Sequence, residues 1–127
     1  MSVEQIENAL QAAAEDGDLS CAAAFEAAAA YDLPPEEVGD LADRLGLHLC
    51  RCQLGLFGYP PHKKIVTPLE HVDKDLADAI RAGLEAGRLP CRTAWEIADQ
   101  RGIPRMQVSA ACETLEVKIK PCQLGAF

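Results

Sequence analysis

One unit of about 52 residues occurs twice in this chain, and this repeat constrains the fold more than any other feature. Residues 6–57 overlay residues 76–127 without a gap at a constant offset of 70, with roughly a third of the positions identical. Both copies end on Cys-Gln-Leu-Gly-x-Phe. We therefore divide the chain into a first repeat (1–57), a connector (58–75) and a second repeat (76–127). A unit this small buries little surface alone, so we expect the two repeats to pack on each other.

The apolar spacing predicts three short helices in each repeat, followed by a strand. Residues 6–13, 21–28 and 38–45 carry apolar side chains at helical spacing, and so do their counterparts in the second repeat. Residues 47–50 and 117–120 then alternate apolar and polar, which is typical of a half-buried strand. Residues 64–67 could form a return strand that pairs with residues 47–51. The predicted fold class is mainly α, with two tandem three-helix modules, each followed by a short strand and packed with internal pseudo-symmetry.

Composition indicates a soluble cytoplasmic protein. No apolar run approaches membrane-spanning length, and the first residues lack the basic start and apolar stretch of a secretory signal. We therefore expect no membrane partner. In that compartment the six cysteines are better read as thiols or metal ligands than as disulfides.

The second and third helices of each repeat resemble a helix-turn-helix unit. In the second repeat Ala98, the turn residue Gly102 and Val108 have the spacing of that motif. The first repeat has Ala28, Asp32 and Val38 there instead. With the trailing strand, the pattern is similar to winged-helix proteins of the bacterial regulator type. The resemblance implies that the third helix could enter a DNA major groove.

Charge separates the two repeats as DNA binders. The first repeat carries 2 basic and 11 acidic side chains, and the second carries 7 and 6. The acidic third helix of the first repeat would repel phosphates, so any DNA contact is expected from the second repeat. The candidate nucleic-acid-binding residues there are Arg92, Arg101, Arg105, Gln107, Ser109, Lys118 and Lys120. For the first repeat we expect a basic protein surface as partner or a role in a homodimer.

The cysteines shared by the two copies suggest a metal site. Cys21 and Cys91 lie in the first turn of the second helix, and Cys52 and Cys122 follow the strands. Together they could hold zinc or an iron–sulfur cluster. His48 and Cys50 are weaker candidates, because the second repeat has lysines at those positions.

Two other readings of the thiols stay open. Each shared cysteine could simply be a small buried apolar residue, and the spacing is not that of a strong zinc knuckle. Redox sensing is the third possibility. Cys112 overlays Ala42, which favours packing alone, whereas Cys50 is expected to face outward and to react first.

The sequence nominates no reaction, since it has no phosphate-binding glycine loop and no nucleophile arrangement. We expect a small cytosolic regulator or adaptor that is not an enzyme and whose second module contacts DNA. The alternative is a protein-interaction module that does not bind DNA and is stabilised by a cysteine-bound metal or iron–sulfur cluster.

Overall fold

A computed structural model describes residues 3–59 and 64–126. Residues 60–63 of the connector and Phe127, which closes the second copy of the terminal motif, lie outside the described residues. The described part is mainly helical, as predicted. Its helices are α1 (Val3–Ala13), α2 (Cys21–Ala30), α3 (Pro35–Arg44), α4 (Lys74–Ala82), α5 (Cys91–Arg101) and α6 (Arg105–Thr114), and its strands are β1 (Asp18–Ser20) and β2 (His48–Cys50).

Local sequence signals account for where the helices begin. The Ser20 hydroxyl caps α2 by accepting a hydrogen bond of 3.1 Å from the backbone N–H of Ala23. The helices α3, α5 and α6 follow Pro34, Pro90 and Pro104, whose φ of −60° is already that of a helix.

The turn between the second and third helix needs a left-handed residue in both repeats. Gly102 ends α5 with φ 65°, and Asp32 takes φ 52° after α2. Each turn is closed in the same way, by the N–H of Leu33 or Ile103 donating to the carbonyl of Ala28 or Ala98. A turn with a left-handed residue therefore follows both α2 and α5.

The strand predicted after the first three helices is present, but its partner differs from the expectation. β2 pairs in parallel with β1, which the sequence did not reveal because β1 lies in the short connection between α1 and α2. Residues 64–67 form no strand; instead the N–H groups of Ile65 and Val66 donate to the carbonyl of Gly55. The strand predicted at residues 117–120 of the second repeat does not form, and Ile119 makes only an isolated bridge with Leu89 there.

Two hydrophobic cores form, and each takes residues from both repeats. We call residues 52–57 the first tail and residues 122–126 the second tail. Cys52 and Leu54 of the first tail are buried in the core built on α4, α5 and α6. Cys122 and Leu124 of the second tail are buried in the core built on α1, α2 and α3. Each repeat therefore completes its core with the tail of the other.

The helices described are short. None of them has the length and apolar character needed to cross a membrane.

Candidate functional site

The third helix of the second repeat, α6, packs inside the protein along most of its length. Residues 108–112 of this helix are all buried. Connector residues cover part of it, since the N–H of Leu69 donates to the carbonyl of Ala110 and the Thr114 hydroxyl donates to the carbonyl of Leu69 over 2.7 Å. A helix that reads DNA must instead present a broad exposed face to the groove.

Arg105, the first residue of α6, is held by neighbours within the chain. Its guanidinium lies 3.8 Å from the centroid of the Trp95 ring, and one of its nitrogens lies 3.3 Å from a carboxylate oxygen of Asp99. It also donates a hydrogen bond to the side-chain oxygen of Gln53 in the first tail. These interactions hold the Arg105 side chain where the two repeats meet, through a cation–π contact with Trp95 and an ion pair with Asp99.

The other candidate DNA-binding residues differ in their exposure to solvent. Ser109 differs from the expectation, since it is only 1% exposed and its hydroxyl has no hydrogen-bond partner in the described part of the chain. The side chain points inward because α6 buries the face on which it lies. The remaining candidates, Arg92, Arg101, Gln107, Lys118 and Lys120, are exposed.

The exposed candidates line different surfaces. Lys118 and Lys120 border a cavity of about 1140 Å³ between the two repeats. Arg101 and Gln107 border a separate cavity of about 370 Å³. Four of the five exposed candidates thus border two different cavities, and Arg92 borders neither.

Each third helix makes a close contact with the tail of the other repeat. A Cβ atom built on Gly39 in α3 would overlap the carbonyl oxygen of Leu124 in the second tail. In the other half, a Cβ on Gly55 of the first tail would lie 3.2 Å from the side chain of Met106 in α6. Both third helices therefore serve as docking surfaces for the tail of the other repeat.

An aromatic pair joins the repeats near the tails. The rings of Phe25 in α2 and Trp95 in α5 are 4.3 Å apart between centroids and are tilted by 45°. Trp95 packs against both hydrophobic cores, so it connects them directly.

The four shared cysteines are all buried around this junction. Cys21 and Cys91 begin α2 and α5, and Cys52 and Cys122 lie in the two tails. Burial raises the pKa of Cys21 to about 12, and the charges of the other three thiols act in the same direction. Burial also raises the pKa of Cys52 and of Cys91, and Cys122 adds to the effect on both. The backbone N–H of Cys91 also donates to the carbonyl of Pro121 over 3.0 Å, which places the start of α5 beside Cys122.

Hydrogen-bond donors are directed at several of these sulfur atoms. The backbone amides of Leu54, Leu56 and Phe57 lower the pKa of Cys52 against the effect of burial. The side-chain amide of Gln123 donates to the Cys91 sulfur over 3.5 Å, and the backbone of Gln53 bonds the Cys21 thiol. The glutamine that follows each tail cysteine thus contributes a donor to the helix cysteine of its own repeat.

Within residues 3–59 and 64–126, no group of three or more histidine, cysteine, aspartate or glutamate side chains is arranged to hold a metal ion. The weaker metal candidates lie apart from the four thiols. His48 is exposed and Cys50 is half-buried. After burial, the groups that most affect the pKa of Cys50 are Asp18 and Arg51, and none of the four shared thiols is among them. Cys112 is 1% exposed, as expected of a packing residue.

Comparisons with known proteins do not assign the chain to a family. No protein-family model matches the chain, and no curated protein or solved structure is significantly similar to it.

The feature that sequence reasoning missed is the exchange of tails between repeats. One signal for it was present: Cys-Gln-Leu-Gly is identical in both copies, although the strand residues before it differ at every position. A segment that is retained while its neighbours change has a specific packing partner, but the sequence does not show which repeat provides that partner.

Proposed function

We propose that this chain is an interaction module built from two helix-turn-helix-like units with approximate internal symmetry, and that its acidic first unit binds a basic protein surface. The observation that carries the proposal is the position of the tails. Each third helix, the element that would read DNA in a helix-turn-helix protein, packs part of its surface against the tail of the other repeat, at Gly39 and Leu124 or at Gly55 and Met106. The motif is thereby used for assembly of the protein itself.

Internal symmetry is supported by contacts that involve equivalent positions of the two repeats, 70 residues apart. Phe25 and Trp95 are equivalent positions and stack on each other. Leu54 and Leu124 are also equivalent, and each is buried in the core of the other repeat. Contacts between equivalent positions are expected where two copies of one unit meet around a twofold axis.

The surface charge of the first unit supports a basic partner. Residues 1–57 carry a net formal charge of −9. Four carboxylates of α3, those of Glu36, Glu37, Asp40 and Asp43, are exposed, and no ion pair forms within residues 3–57. A surface of one sign steers a partner of the opposite sign and repels DNA.

The experiment compares binding of the purified protein to a fluorescent lysine-rich peptide and to a random-sequence DNA library, at low and physiological salt. We expect peptide binding that weakens with salt, and no retention of DNA. Neutralising α3 by Glu37→Gln, Asp40→Asn and Asp43→Asn should weaken peptide binding. The matched control, Glu70→Gln, Asp78→Asn and Glu85→Gln, removes the same charge from exposed positions outside the first repeat. Equal losses in the two variants would contradict a role for the first unit.

A DNA-binding regulator is the second candidate function, and the exposure of Arg92, Arg101, Lys118 and Lys120 favours it. These side chains could contact phosphates without a groove-reading helix. Retention of DNA at physiological salt, lost in Lys118→Ala with Lys120→Ala, would replace the proposed function with this one. Gln107→Ala separates the two modes of contact, because Gln107 is the exposed candidate on α6 and only binding through that helix requires it.

A further inference from the structure

We propose that Cys21, Cys52, Cys91 and Cys122 bind one thiophilic metal centre at the junction of the two repeats, with four thiolate ligands. This inference does not depend on the partner proposed above.

The first observation is the matched distribution of the cysteines. The four ligand candidates form two pairs that occur at the same place in both repeats, whereas Cys50 and Cys112 have no counterpart. A cysteine that only fills space can be exchanged for alanine, as the pairing of Cys112 with Ala42 illustrates. The four shared cysteines have not been exchanged in either copy.

The second observation is the way the fold delivers these residues to one place. Cys21 and Cys91 come from the first turns of α2 and α5, and those two helices meet through the Phe25–Trp95 contact. Cys52 and Cys122 arrive on tails that cross into the other repeat. Helix starts and exchanged tails thus direct two thiols from each repeat toward the junction.

The third observation is the set of donors around the sulfur atoms. A neutral thiol is a weak acceptor, so backbone amides directed at it gain little. A metal-bound thiolate is a much better acceptor, and hydrogen bonds to ligand atoms hold metal ligands in place and tune the centre. The first tail supplies backbone amides to Cys52, and Gln123 supplies a side-chain amide to Cys91.

A cysteine side chain binds a metal ion as its thiolate, so each coordinating thiol that carries a proton in the metal-free protein would release it to solvent on binding. As the described residues are placed, no three histidine, cysteine, aspartate or glutamate side chains form a group that could hold an ion. A single zinc ion, with Zn–S bonds of about 2.3 Å, would draw the four sulfur atoms together, whereas an iron–sulfur cluster would hold them further apart.

The test begins with the full chain purified anaerobically under reducing conditions and analysed for zinc, iron and acid-labile sulfide. One zinc per chain supports a single-ion centre. Iron with sulfide and broad visible absorption supports a cluster at the same ligands. In a second arm the metal-free protein is titrated with Co²⁺. We expect a sulfur-to-cobalt charge-transfer band and tetrahedral d–d bands that saturate at one equivalent.

Single Cys→Ser changes at each of the four positions should abolish the one-equivalent tetrathiolate spectrum. The controls Cys50→Ser and Cys112→Ala should leave it unchanged, and circular dichroism reports whether each variant is folded. The proposal is overturned if wild-type protein contains neither metal and shows no charge-transfer band with Co²⁺. It is also overturned if either control removes the band while the protein remains folded.

Discussion

Phe25 and Trp95 occupy the same position in the two repeats, and they stack on each other with ring centroids 4.3 Å apart. The guanidinium carbon of Arg105 lies 3.8 Å from the centroid of the Trp95 ring, and Trp95 packs against both cores. A single side chain therefore links the two repeats, the start of α6 and, through Arg105 and Gln53, the first tail.

Removing the indole should strongly destabilise the protein. For Trp95→Ala we expect a loss of about 3 kcal/mol in the free energy of unfolding, the lower end of the range for large aromatic side chains, because Trp95 is only partly buried. The measurement is urea unfolding followed by circular dichroism. Trp95→Phe is the matched control, since the equivalent position already holds Phe25. It should lose clearly less, and equal losses would mean that the stack contributes little.

The contact between α3 and the second tail can be tested with one methyl group. Gly39→Ala places a Cβ against the carbonyl oxygen of Leu124, so the backbone of the tail must move. We expect a cost of roughly 1–3 kcal/mol, although alanine is normally favoured over glycine within a helix. The control is Asp40→Ala, at the next and exposed position of α3, where the change should stay within about 0.5 kcal/mol. A stabilised Gly39→Ala protein would show that the tail does not dock there.

Exchange of tails predicts that a change in one repeat weakens the other. Leu54 is fully buried in the core of α4, α5 and α6, so Leu54→Ala should cost about 2–5 kcal/mol. Hydrogen exchange should show amides of α6 losing protection in this variant. The control is Ile65→Ala, at an exposed connector position. If protection fell in α2 and α3 while α6 stayed protected, the first tail would be packed in its own repeat.

Much of the fold could be predicted because local signals determine it. Apolar spacing, the glycine at the turn after α5 and the prolines before α3 and α6 act within a few residues, and they place the helices correctly. The strand at 48–50 follows from alternation. Its partner β1 does not, because Asp18–Ser20 lies in the short connection between two predicted helices, where no strand is expected.

Recurrence singled out Cys21, Cys52, Cys91 and Cys122 as candidates, and the structure buries all four side chains. Their placement on two helix starts and two exchanged tails could not be predicted from the sequence. The burial of Ser109 was not foreseeable, because a polar residue on a predicted surface face gives no sign that a neighbouring segment covers it. Packing against residues distant in the chain decides whether such a side chain is buried. The apolar spacing within one segment does not show that packing.

Buried thiols make the metal-free protein sensitive to alkaline pH. Burial raises the pKa of Cys112 to about 12 from the ordinary 9.0. Above pH 9.0 the unfolded chain loses this proton while the folded protein keeps it, so the free energy of unfolding falls as pH rises toward 12, by up to about 1.4 kcal/mol per pH unit for one such thiol. Below pH 9.0 the thiol is protonated in both states and contributes no pH dependence.

Cys112→Ala should therefore flatten the alkaline decline of stability while leaving the pH dependence near neutrality unchanged. Alanine fits the position, since Ala42 occupies its equivalent in the first repeat. The measurement is urea unfolding from about pH 7 to about pH 10, with a reductant and a metal chelator present. Cys50→Ser is the control: its thiol is half-buried and loses less solvation on folding, so removing it should change the slope less. An unchanged slope in Cys112→Ala would show that this thiol ionises as readily in the folded protein as in the unfolded chain.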